Sequence, residues 1–198
     1  MEKGVITVVY HSHQGHTKLV AEILAQNLTT ELTEVNLVHV GEAANKMELL
    51  HQSDTIIFGC PTYFGNVSAD FKQFMEGTGK FWYKQRWKDK LATGFTISST
   101  TNGDKLNTLV SLSLFAAQHS MLWISQGILP RFCNDEQTDG QNRLASYLGL
   151  MVQCTNGNDV QPLHLGDLLT IELFAQRIVD ITLKYKNLKI YNYDTCRN

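Results

Sequence analysis

Val8-Val9-Tyr10-His11-Ser12-His13-Gln14-Gly15-His16-Thr17-Lys18-Leu19-Val20-Ala21-Glu22 reads as a buried strand, a short loop carrying hydroxyls and one glycine, and an amphipathic helix entered directly from that loop. A loop of this kind presents successive backbone N–H groups and hydroxyls at a helix N-terminus, where unpaired donors and the helix dipole favour a phosphate. The candidate phosphate residues are Ser12, His13, Gln14, Gly15, His16 and Thr17. A triphosphate-binding loop would need Gly-Lys-Ser/Thr after four spacer residues, and a dinucleotide fingerprint would need three glycines over six positions; only Gly15 is present. A phosphorylated receiver domain would need carboxylates after the first strand to hold a cation, where this chain carries Tyr10, His11 and Ser12. The loop alone leaves a plainer alternative open, in which Ser12 or Thr17 caps a helix beside a Gly15 turn.

Working outward, Val5 to Tyr10, Thr55 to Cys60, Leu91 to Ile97 and Met121 to Ser125 are near-continuous apolar or β-branched runs, the pattern of parallel strands covered on both faces. Glu34 to Val40 is more mixed and suits an edge strand. Between these runs Leu19/Val20/Ile23/Leu24, Phe71/Phe74/Met75 and Leu106/Leu109/Val110/Leu114 recur at helical spacing, and Leu168/Ile171/Phe174/Ile178/Ile181 predicts a long closing helix. The expected fold class is α/β: a doubly wound, five-stranded parallel sheet of order 2-1-3-4-5 with helices on both faces. In such a sheet a ligand sits beyond the carboxyl ends of the strands, where the first and third strands diverge.

The loops that would meet there are specialised. Cys60-Pro61-Thr62-Tyr63-Phe64-Gly65-Asn66-Val67-Ser68 follows the third strand, with Ser68 placed to cap the next helix, and Ser98-Ser99-Thr100-Thr101-Asn102-Gly103-Asp104 follows the fourth. One loop offers phosphate donors, one aromatic faces, and one hydroxyls and amides for a polar heterocycle edge. A phosphorylated planar cofactor satisfies all three.

Composition bounds the alternatives. With 198 residues, 43% hydrophobic side chains and 3 prolines, the chain fits one globular domain over residues 1–198. No apolar run approaches the roughly 20 residues needed to span a bilayer, so a cytoplasmic protein without a membrane partner is expected. A formal net charge of −2 with no basic stripe argues against nucleic acid. Cys60, Cys133, Cys154 and Cys196 form no C-x-x-C pair, which points to reduced structural thiols.

Pro61-Thr62-Tyr63-Phe64-Gly65-Asn66-Val67-Ser68, followed by Phe74-Met75-Glu76-Gly77-Thr78-Gly79 and Trp82, resembles the flavodoxin-like NAD(P)H:quinone oxidoreductases of the tryptophan-repressor-binding-protein type. The resemblance runs from Val5 to about Gly127 and resumes in the closing helix. It implies FMN, with the phosphate on Ser12 to Thr17 and the isoalloxazine ring between Pro61, Thr62, Tyr63, Phe64, Gly65 and Asn66 on one side and Ser98, Ser99, Thr100, Thr101, Asn102 and Gly103 on the other. It further implies hydride transfer from NAD(P)H through the flavin to a quinone or similar small acceptor. His119 falls where the family has a histidine beside the open flavin face, which makes it the candidate catalytic residue. Trp82 matches an aromatic wall that a neighbouring subunit can supply, and Tyr147 resembles a tyrosine of the family's variable insertion. Together with the aromatic cluster Phe81, Trp82, Tyr83 and Trp87, this implies a homodimer or homotetramer. Tyr63 departs from the family, standing where an arginine is common.

Ordinary readings stand beside these. His11, His13 and His16 have no carboxylate or cysteine companion in sequence, so no metal is expected. Asp54 and Glu22 read as solvated charges, and Cys60 as a small buried residue. The segment from Ile128 to Pro162 is too long for an ordinary connection and too apolar for disorder, which predicts a lid-like insertion. Three function classes follow: an FMN-dependent NAD(P)H:quinone oxidoreductase, a flavodoxin-type one-electron carrier, and a non-catalytic flavin-binding regulatory protein. A carrier usually steers toward its partners with a strongly charged face, whereas this chain is nearly balanced at pI ≈ 6.4.

Overall fold

The computed structural model describes residues 2–131, 140–155 and 163–195, with side chains through Leu188. β1 (Gly4–Tyr10) leads into α1 (His16–Leu28), and β2 (Thr33–His39) into a short α2 (Val40–Ala43), a single 3₁₀ turn and α3 (Met47–Gln52). β3 (Thr55–Pro61) is followed by α4 (Ala69–Gly77) and α5 (Gly79–Tyr83), and β4 (Leu91–Ser98) by α6 (Lys105–Gln118). Two short strands, β5 (Leu122–Trp123) and β6 (Leu150–Gln153), precede the closing helix α7 (Leu165–Thr195).

All strand pairings in the sheet are parallel, and its order is β2-β1-β3-β4-β5, with β6 also on β4. The order agrees with the sequence expectation, but the fifth strand is not continuous. β5 pairs with the start of β4 (Leu91 opposite Leu122), the chain leaves, and β6 returns to pair with its end (Phe95 opposite Leu150, Ser98 opposite Gln153). The excursion therefore occupies 124–149, not 128–162, and Leu150 and Met151, expected within that insertion, complete the sheet edge. Cys133, Cys196, Gly157 and Pro162 lie outside the described residues.

Side chains alternate across the sheet, as strand geometry requires. Ile6, Val8 and Tyr10 of β1, Ile57 of β3 and Phe95 and Ile97 of β4 pack with α1 and α7. Val9, Ile56, Phe58, Cys60 and Ala92 face α4 and α6 in a second core. That second core is aromatic, with Phe58 5.2 Å from Phe115 and Phe71 5.5 Å from Phe74 between ring centroids. Trp87 is fully buried there, leaving only Trp82 and Tyr83 of the expected aromatic surface cluster strongly exposed. On the first face the Phe95 ring lies against Gly59, its register partner, where a Cβ would fall 2.1 Å from ring carbons. Asp54 is no free surface charge: its carboxylate accepts the Val5 N–H at 2.9 Å and pairs with Lys186 at 3.0 Å, tying the entry of β3 to β1 and α7. Cys60 is buried and its thiol is pushed up to about 12 by that burial, which removes it as a nucleophile.

Candidate functional site

The first loop is shaped by Gly15, whose φ of 94° is open to glycine at little cost and whose carbonyl starts α1. No side chain caps that helix. The Gly15 N–H is taken by Ser12 Oγ at 3.1 Å, while those of His16, Thr17 and Lys18 have no protein acceptor among the described residues. Unspent N–H groups at a 13-residue helix, with the adjacent Thr17 hydroxyl also unspent, are the donor set a phosphate requires.

The second loop is a two-residue turn. Tyr63 and Asn66 exchange backbone hydrogen bonds of 3.0 Å in both directions, with Phe64 and Gly65 at φ of 49° and 71° between them. Phe64 is fully exposed at its tip. Asn107 Nδ2 of α6 donates to Gly65 O at 2.6 Å and Ser111 Oγ to Asn66 Oδ1 at 3.0 Å, fixing the turn from below. The Thr62 hydroxyl points into the protein, bonded to Thr96 Oγ1 at 2.7 Å and Thr108 Oγ1 at 2.9 Å. Ser68 occupies the N-cap position of α4, yet its hydroxyl does not cap. It is 2.7 Å from His11 Nδ1, whose Nε2 lies 3.2 Å from Asp70 Oδ2. A carboxylate takes the proton of Nε2, so the Ser68 hydroxyl donates to Nδ1. Burial lowers the His11 pKa, and Asp70 partly opposes that.

The third loop rests on a buried cation that the sequence reading passed over. Lys105 is fully buried, and its ammonium donates to Ser98 Oγ at 2.8 Å and Thr100 O at 2.5 Å. Burial pulls it down to about 8, against the opposing pull of Asp167. Nearby, Arg143 of the excursion and Asp167 of α7 form a buried ion pair at 2.8 Å. Asp167 Oδ2 also accepts the Gln153 N–H at 2.9 Å, and the Gln153 side chain donates to Ser99 O at 3.0 Å. One polar network thus joins the excursion, β6, α7 and the third loop.

The loops converge. Ser12, His13, Gln14, His16 and Thr17, then Pro61, Thr62 and Tyr63, then Ser98 and Ser99 line one crevice of about 180 Å³ at the carboxyl ends of β1, β3 and β4. Cys154, which no motif marked, closes it from the end of β6. A second, larger and mostly apolar cleft of about 910 Å³ brings Thr101 and Asn102 together with Tyr147, Leu144 and Met151. The donor set and the crevice fit a phosphorylated planar cofactor. Among the described residues no group of three or more His, Cys, Asp or Glu side chains is placed to hold a metal, and no helix is long and apolar enough to cross a membrane.

Of the other expected site residues, Gly15, Phe64, Gly65, Asn66, Thr100, Gly103, His119 and Trp82 line neither the crevice nor the larger cleft. His119 ends α6 beside Ser120, whose carbonyl accepts the Asp89 N–H just before β4 begins; this is the amino end of the strands, away from the crevice at their carboxyl ends. It is 1% exposed, stacked 4.4 Å from the Trp87 ring and 4.8 Å from Phe115, with Nε2 2.9 Å from Thr78 Oγ1. Burial lowers it to about 4, so the ring is neutral at pH 7, and it lines neither the crevice nor the larger cleft. The geometry gives His119 a place in the core. Trp82 is half-exposed on α5 and lines neither the crevice nor the larger cleft.

The family described as the flavodoxin domain matches residues 7–125. Flavodoxin FldP of Pseudomonas aeruginosa is 38% identical over 182 residues, which is 91% of this chain and 97% of that one. An NAD(P)H dehydrogenase (quinone) of Archaeoglobus fulgidus is 31% identical over 140 residues, covering 59% of this chain and 73% of the relative. The crystal structure of a WrbA-like flavodoxin from Agrobacterium tumefaciens aligns with a TM-score of 0.72 at 33% identity, covering 92% of this chain and 99% of that one.

Proposed function

Because the chain belongs to the flavodoxin-like family of the WrbA type, we propose that its three-loop crevice holds FMN and that it is an NAD(P)H:quinone oxidoreductase. The observation that carries this reading is the convergence of an uncapped helix N-terminus with the second and third loops in one crevice. FMN held there would supply the two-electron chemistry between a nicotinamide donor and a quinone-like acceptor.

The chain's own work is binding and orientation. The His16, Thr17 and Lys18 N–H groups and the Thr17 hydroxyl would take the phosphate oxygens, and Gly15 lets them approach without a Cβ. Pro61, Tyr63, Ser98 and Ser99 would flank the ring system, with Lys105 holding the third loop in shape. The apolar wall of Leu144, Tyr147 and Met151 would exclude water from an acceptor beside the third loop. A homo-oligomer belongs to this reading. Leu106, Val110 and Leu114 form an exposed stripe at helical spacing on α6, and Trp82 and Tyr83 are exposed on α5. Light scattering of the FMN-loaded protein should give at least a dimer, and a monomer removes this part. The protein is placed in the cytoplasm on the same reading.

Anaerobic addition of NADPH or NADH to the FMN-loaded protein tests the activity. Rapid bleaching of the flavin followed by reoxidation with a soluble quinone is expected. Bleaching only when a partner reductase is added would instead favour a one-electron carrier, the second reading, which the likeness to a flavodoxin at 38% identity supports. The extracted flavin should be FMN rather than FAD. Gly15→Glu places bulk and negative charge at the phosphate, and its FMN affinity should fall by at least about tenfold; unchanged affinity would unseat the phosphate assignment.

A further inference from the structure

Between the segment after β2 and the helices α4 and α5 lies a cleft of about 600 Å³ that shares no residue with the three-loop crevice. Its volume is in the range of small-molecule sites. Phe74 and Phe81 line it on the α4 and α5 side, Val40 and Met47 on the other. Gly77 stands between the two phenylalanines in sequence, and a side chain begun there would meet no atom within 4 Å. With no side chain, this last residue of α4 leaves bare backbone beneath an open apolar slot.

The polar groups of the cleft are mostly unspent donors. Lys80 has no ion-pair partner and the Gln73 amide no hydrogen-bond partner among the described residues. His39 Nδ1 accepts the Gly41 N–H at 3.1 Å, which puts the proton of the neutral ring on Nε2 as a further donor. The one carboxylate, Asp70, sits in the first turn of α4 and is engaged with buried His11, whereas Lys80 stands on α5. One aromatic wall facing an aliphatic one, a bare floor and surplus donors suit a flat ligand with acceptor oxygens, its negative charge on Lys80 and not beside Asp70.

We infer that this cleft is a second small-molecule site, taking a fused-ring aromatic carboxylate with its ring over Gly77 between Phe74 and Phe81 and its carboxylate on Lys80. The inference does not rest on the flavin reading, because the two sites have no lining residue in common.

Isothermal titration of 2-naphthoate into the full chain, with and without saturating FMN, is the test. One saturable site of equal affinity in both conditions is expected. Gly77→Phe fills the slot and should abolish binding, while FMN titration and Tm stay at wild-type values. Lys80→Ala, a surface change that keeps the fold, should weaken 2-naphthoate by roughly fivefold, the upper range for an exposed charge pair. The assignment is overturned if Gly77→Phe binds like wild type, if Lys80→Ala leaves affinity unchanged, if FMN competes with 2-naphthoate, or if wild type shows no saturation below about 5 mM. Loss of FMN binding with 2-naphthoate binding intact would count against the flavin proposal alone.

Discussion

On the β1 and β3 side of the crevice, loops leave strands whose both faces are apolar, and backbone geometry places them: a left-handed Gly15, a tight turn at Phe64 and Gly65, the Gly59 backbone against the Phe95 ring. On the β4 and β6 side the same crevice is walled by buried charge, with Lys105 under the third loop and the Arg143–Asp167 pair behind Gln153 and Ser99. Apolar packing tolerates small errors by relaxing, whereas a buried ion deprived of its partner has no such recourse. The two walls should therefore fail differently.

The largest effect is expected on the polar side. Asp167→Ala strands a nearly buried Arg143 and should cost about 3–5 kcal/mol in denaturant unfolding, because an unpaired buried charge loses most of what the pair balanced. A loss below about 1 kcal/mol would show that apolar contacts carry this wall too and would erase the contrast.

Next is an acid limb set by His119 at the amino end of the strands. An unfolded histidine takes up its proton at about pH 6.5, and the folded one only at about 4. Between those values the unfolded state binds more protons, so stability should fall as pH falls through the window, by up to about 3 kcal/mol. His119→Gln should flatten this limb in urea titrations at several pH values, and should leave flavin reoxidation by quinone at the wild-type rate. A slowed reoxidation with unchanged stability would restore a catalytic place for His119.

Gly59→Ala probes the apolar wall, where a methyl must displace the Phe95 ring. Overpacking of this kind costs roughly 1–3 kcal/mol. Equality with Asp167→Ala would blur the two walls. Smallest is Thr62→Val at the seam between them, which removes the hydroxyl shared with Thr96 and Thr108 and should cost about 1 kcal/mol. Tm and FMN affinity measured together would show whether that seam positions the second loop or only stabilises it.

Legibility followed the same division. β1, β3 and β4 could be read because strands covered on both faces leave unbroken apolar runs, and Ser12 to Thr17 because a helix start after a buried strand has a local signature. β6 could not, since four residues in an apolar stretch become a strand only through a β4 partner far back in the chain. Lys105, Arg143 and Asp167 carry no local mark either: a lysine opening a helix looks solvated until the excursion folds over it. His119 misled because its place in sequence, just before the fifth strand, matches the family, while its side chain turns onto Trp87 and Thr78. Ser68 and Asp54 misled more mildly, each engaged by a partner remote in sequence.

The divided fifth strand has one more consequence, for how this protein can vary. Since β5 and β6 hold separate registers on β4, a change of chain length between them alters neither register, provided that the ties of Ile124 to β4 and of Asn142 and Arg143 to α7 are kept. Closing a longer or shorter loop changes the entropy only slowly, about 0.6 kcal/mol for each doubling. With Arg143 kept on Asp167, the neighbours Leu144 and Tyr147 that wall the larger cleft can be rewritten by descent while the sheet keeps its shape, so specificity for an acceptor can drift where the architecture stays fixed.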